Sequence, residues 1–108
     1  MSQIVPTLIL AALVLVGLGG RSPAQDIGDA RRGLTVAQMT CARCHVIGKE
    51  QIRLRNRRAP NFEALANTPG MTPMAIRVAL RTSHREMPNL VLKNDEIDDI
   101  IAYIETLK

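Results

Sequence analysis

Cys41 and Cys44 are the only two cysteines of the chain, and His45 follows the second directly, in the run CARCHVIGK. Two thiols at i and i+3 serve thiol–disulfide exchange, half of a zinc site, or covalent attachment of haem. An exchange pair wants a strand–helix–strand setting with its first thiolate at a helix start. This sequence shows no strand pattern and puts the pair at the end of a helix. A structural zinc needs four ligands. Cys41, Cys44 and His45 supply three crowded ones, and the only other histidine is His84. A disulfide between the two closes a loop too short to constrain the unfolded chain much. Haem attachment uses every piece. The thiols stand on one side of a helical turn, where each can form a thioether with a vinyl group, and His45 is then held to bind the iron from the same side.

Such an iron needs a sixth ligand or keeps an open site. Downstream the candidates are Met71, Met74, Met87 and His84. Met74 falls on a helix and reads as core. Met71 lies in the turn-like TPGMTP. Met87 precedes Pro88 in a loop between an arginine-rich helix and the last helix, a segment able to wrap a haem face. Buried methionines usually pack rather than ligate, but the loop setting favours Met87, with His84 next.

The elements that must position these residues are three or four helices, with no strand. The first spans about 27–41, with Ala30, Leu34, Ala37 and Cys41 at helical spacing and Asp26 or Asp29 as cap. Gly33 sits inside it, where glycine costs about 1 kcal/mol relative to alanine; it reads either as a tolerated surface glycine or as a point of close approach by another backbone or ring. From Val46 to Pro60 the residues VIGKEQIRLRNRRAP read as a loop, basic through Lys49, Arg53, Arg55, Arg57 and Arg58. A short helix over 61–67 turns Phe62 and Leu65 inward. Thr72 and Pro73 open a helix to about Thr82, a capping hydroxyl followed by proline at the first helical position. Met74, Val78 and Leu80 are its expected inward face, with Arg77, Arg81 and Arg85 on another. Residues 83–92 form an extended loop around Pro88. Asn94 is the expected cap of the last helix, where Ile97, Ile100, Ile101, Ile104 and Leu107 make one apolar stripe behind an acidic first turn.

At 108 residues the chain holds one domain at most. Residues 4–18, IVPTLILAALVLVGL, are almost wholly apolar, and Ser22 and Ala24 are small residues at peptidase-read positions. The expectation is a signal peptide over 1–24, with export to the periplasm. The run contains Pro6 and falls short of the roughly 20 residues of a membrane helix. An uncleaved N-terminal anchor is the alternative, since no Lys or Arg precedes the run, and membrane contact is expected in that case alone. The remaining domain, 25–108, has one Phe, one Tyr and no Trp. A chain so poor in rings gains from a bulky apolar cofactor at its centre. The formal net charge of +4 does not argue for nucleic acid in an exported chain with so few aromatics.

On GLTVAQMTCARCH, APNFEAL, HREMPNL and DEIDDIIAYIETLK, the chain resembles the small bacterial monohaem members of the class I c-type cytochromes across nearly all of 27–108. The resemblance implies an all-α small cytochrome c fold around one haem c, with the first and last helices crossing. It implies that Cys41 and Cys44 hold that haem through two thioethers and that His45 and Met87 are the axial ligands. Pro60 matches a proline whose carbonyl accepts the proximal imidazole N–H. Gly33 and Tyr103 match the family's helix-crossing pair. The family often has an aromatic where this chain has Ala37, and many members hold a haem propionate with a tryptophan that this chain lacks. Its arginine-rich loop is expected to take that task.

The function so implied is one-electron transfer in the periplasm, without catalysis, between redox partner proteins: a respiratory complex, an oxidase or a periplasmic dehydrogenase. Basic residues, including Arg77, Arg81 and Arg85, would steer it to acidic docking surfaces. The alternatives are a haem c subunit of a periplasmic dehydrogenase, a small haem peroxidase and a ligand-binding sensor. The last two require Met87 off the iron.

Overall fold

The computed structural model describes residues 28–49, 58–84 and 86–108. The expected signal segment and its cleavage point, Asp26, Ile27, Arg53, Arg55, Arg57 and Arg85 lie outside the described residues. Among the described residues there are four helices and no strand: α1 (Ala30–Thr40), α2 (Phe62–Ala66), α3 (Pro73–Arg81) and α4 (Asn94–Glu105). This is the all-helical architecture expected of a small cytochrome c fold.

Helix α1 starts where Asp29 caps it. The Asp29 carboxylate accepts the backbone N–H of Arg31 (2.8 Å) and of Arg32 (3.1 Å), satisfying donors that no helix turn can reach. Those two bonds, Arg32 first, hold its carboxyl below the usual carboxylate range. Asn61 caps α2 by accepting from Ala64 N–H, and Thr72 caps α3 by accepting from Ala75 N–H (3.2 Å). Asn94 is not the cap of α4. Lys93 occupies that position, Asn94 is already helical, and the Glu96 carboxylate reaches back to accept Lys93 N–H (2.8 Å).

The core is built on α4. Ile97, Ile100, Ile101, Ile104 and Leu107 are all buried, together with Ala37, Phe62 and Tyr103. Helix α1 crosses α4 so closely that their backbones touch. A Cβ at Gly33 would lie 1.9 Å from the Asp99 carbonyl oxygen and 2.9 Å from the Tyr103 Cβ. The costly glycine is therefore a packing requirement. Gly28, with φ +126°, makes a similar approach just ahead of the helix, where a Cβ would stand 2.2 Å from the Asp98 carbonyl oxygen.

A buried carboxylate locks the crossing. Asp99 accepts the Asp29 N–H (2.6 Å), Arg32 Nε (2.9 Å) and Arg32 Nη2 (3.1 Å). The Arg32 guanidinium is the main reason its carboxyl is held below the ordinary value, against the opposing effect of burial.

The inward face of α3 differs from the expected one. Met74 and Val78 are 65% and 54% exposed, while Ile76 is 4% exposed, with Leu80 packed against the core beside it. Apolar residues alternate at 74, 76, 78 and 80, so two helical faces compete. The pairing of Arg77 with Asp98 of α4 turns the Ile76 side inward. Arg77 is thus no free surface cation, and Arg81 donates to Asn94 Oδ1. Arg77 and Arg81, expected on a face apart from the apolar one, thus each engage a residue of α4.

Candidate functional site

The helical path continues past the end of α1. Cys41 N–H and Ala42 N–H both donate to the Ala37 carbonyl, and His45 N–H donates to the Cys41 carbonyl (2.9 Å). This extra turn brings Cys41, Cys44 and His45 to one wall of a cavity of about 760 Å³. Cys41 is buried and Cys44 exposed. Burial pushes the Cys41 thiol up to about 11, so it stays protonated at neutral pH.

His45 is oriented by the main chain. Its Nδ1 lies 2.7 Å from the Pro60 carbonyl oxygen. A carbonyl only accepts, so Nδ1 donates, and the neutral ring keeps its lone pair on Nε2. The following residues are pinned as well. Phe62 N–H donates to the Val46 carbonyl (2.9 Å), and the Tyr103 hydroxyl donates to the Ile47 carbonyl (2.6 Å). Three rings step from the cavity to the helix crossing: His45 to Phe62 at 5.6 Å, then Phe62 to Tyr103 at 6.4 Å between centroids. Burial raises the Tyr103 phenol above its ordinary value and keeps it a donor.

The rest of the cavity comes from the 58–60 segment, α2 through Leu65, α3 through Ala79, and the loop after α3. Of the four candidate sixth ligands, Met71, His84 and Met87 line it and Met74 does not. Met71 is also packed against the core, whereas Met87 is half-buried in the loop. The nitrogen His84 Nδ1 bonds the Thr82 carbonyl (3.0 Å). Arg58 lines the cavity and pairs with Glu86.

The donor set tests which group this space suits. It contains two thiols, one imidazole with a free Nε2, a thioether in a loop, and otherwise mostly apolar walls. The volume lies within the range of small-molecule and cofactor sites, about 300–1,000 Å³. A flat apolar macrocycle carrying iron fits these residues. Neither thiol exchange nor zinc accounts for the apolar space beside the thiols.

Sequence reasoning missed the Tyr103–Ile47 bond, the Arg32–Asp99 pair and the Arg58–Glu86 pair. Each joins residues far apart in the chain and leaves no local pattern.

A family model described as cytochrome c oxidase, cbb3-type, subunit III matches residues 28–104. No curated protein and no solved structure matches the chain.

Proposed function

The chain belongs to the cbb3-type cytochrome c family, a family of class I c-type cytochromes, and from that premise we propose that it is a periplasmic one-electron carrier with one haem c and His45/Met87 ligation. Proteins of this family bind haem c and generally serve electron transfer. The observation that carries the finer reading is the single cavity lined by Cys41, Cys44, His45 and Met87, with His45 Nδ1 held on Pro60.

When bound, haem c supplies an iron that gains and loses one electron. Cys41 and Cys44 each give a sulfur to a thioether, which keeps the group attached in both oxidation states. His45, donating through Nδ1 to Pro60, offers Nε2 as a strengthened donor. Met87 offers a thioether sulfur, a ligand that favours the reduced metal and raises the potential. Leu65, Met71, Ala79 and Leu90 exclude water around it. Arg58, at the cavity, is the described member of the basic loop placed to meet a haem carboxylate.

The family description names a subunit of a cytochrome c oxidase, so a respiratory oxidase is the partner class we favour. A haem subunit of a periplasmic dehydrogenase is the second reading within the same chemistry. Were His45 and Met87 both to hold the iron, peroxide or a sensed ligand would have to displace a side chain to reach it.

The test is a visible spectrum of the exported protein, oxidised and reduced, with an alkaline pyridine assay for thioether-linked haem. A c-type reduced spectrum, a far-red band of methionine on ferric iron and indifference to carbon monoxide are expected. A spectrum altered by carbon monoxide would remove Met87 from the iron.

A further inference from the structure

Residues 83–92 carry Met87, yet little that is polar ties the described ones among them to the rest of the fold. Met87 N–H donates to the His84 carbonyl (3.1 Å), and His84 Nδ1 bonds the Thr82 carbonyl, both within or at the edge of the loop. Among the described residues of this loop, the polar contact that reaches a distant part of the chain is the ion pair of Glu86 with Arg58. Arg58 stands two residues before Pro60, the acceptor for His45, and Glu86 is the immediate neighbour of Met87. Both side chains line the cavity. One ion pair therefore couples the segment that orients the histidine to the segment that carries the methionine.

Both partners are largely exposed, and exposed pairs contribute little to global stability. A loop whose described residues show no other polar anchor to a distant part of the chain is a different case. Its opening can be far less costly than global unfolding, so even a weak tie shifts the balance between held and released states directly. We propose that Arg58–Glu86 is a strap that holds the Met87 loop closed over the cavity and so sets how readily Met87 yields to a competing ligand. This rests on the reading of Met87 as an axial ligand.

The experiment is imidazole binding to the ferric holoprotein, followed by loss of the far-red band. Arg58→Gln and Glu86→Gln should each tighten imidazole binding by about two- to fivefold. The two substitutions change the local charge in opposite directions, while imidazole at mildly alkaline pH is neutral. A simple field effect would move the two variants apart, whereas a broken strap moves them together. The double variant Arg58→Gln with Glu86→Gln should bind imidazole no more tightly than either single variant, because each change removes the same pair. Molar potassium chloride should loosen the wild type toward the single variants and leave those variants unchanged. Unaltered affinity in both single variants, opposite shifts, or additive tightening in the double variant overturns the strap while leaving Met87 as ligand. A wild-type protein without the far-red band, in which Met87→Ala leaves imidazole affinity unchanged, overturns the ligand reading and the strap together.

Discussion

The hydroxyl of Tyr103 donates to the carbonyl oxygen of Ile47 at 2.6 Å, tying the last helix to the chain two residues beyond His45. The same side chain leans on Gly33 at the helix crossing. One residue thus connects the most secure packing in the protein to the segment that carries its chemistry.

Tyr103→Phe removes the donor and leaves the buried Ile47 carbonyl without this bond. Urea denaturation should show a loss of about 1–2 kcal/mol. The pH dependence has a definite sign. Burial raises the Tyr103 phenol in the folded state, so its contribution is complete below the unfolded value near 10 and is lost as pH rises through the raised folded one. The wild type should lose stability on that alkaline limb, and Tyr103→Phe should lose this component.

Gly33→Ala forces a methyl group into the Asp99 carbonyl. The helices must separate, at a cost of about 3 kcal/mol or more. Gly48→Ala is the contrasting case, because among the described residues its Cβ would meet only the Tyr103 hydroxyl, at an ordinary 3.7 Å. It should stay within about 0.5 kcal/mol of the wild type. Thermal melts of the two variants side by side check both.

Asp99 governs the acid limb. Its carboxyl is held down chiefly by Arg32, so the stability it gives is fully present above the unfolded value near 3.8 and disappears as pH falls through the lowered folded one. Asp99→Asn should lower the melting temperature at neutral pH and flatten its decline below about pH 4. An acid limb as steep as that of the wild type would contradict this role.

The three cavity-lining candidates for the distal ligand can be separated by their spectra. Met87→Ala should abolish the far-red band of the ferric protein and open the ferrous iron to carbon monoxide. Met71→Leu, a substitution of similar volume, should cost less than about 1.5 kcal/mol and keep the band. His84→Ala should keep it as well.

Much of this could be read locally. Four isoleucines at helical spacing define α4 without help from the rest of the chain, and Thr72-Pro73 marks the start of α3 by its own chemistry. The CARCH run narrows its use because two thiols and an imidazole at that spacing suit few ligands, and the matching family is one that binds haem c. The inward face of α3 was not legible, because Met74, Ile76, Val78 and Leu80 offer two faces, and Arg77 meeting Asp98 on another helix decides between them. Gly28 and Asp99 escaped notice for the same reason. A glycine before a helix and an aspartate in an acidic turn look ordinary until α1 and α4 are laid together. Lys93 rather than Asn94 ends up as the cap of α4 because Glu96 reaches back to its N–H, a choice between adjacent residues that composition does not make.

The acceptor that orients His45 is a main-chain oxygen. Every residue type carries one, so no single codon change at position 60 can delete it; a substitution can only displace it. The proton arrangement of the imidazole is thereby insulated from side-chain drift and exposed to drift in backbone path. Proline, with its fixed φ, narrows that path. With His45 as the proposed iron ligand, variation at this position should register first as a changed ligand field, before any loss of the histidine itself.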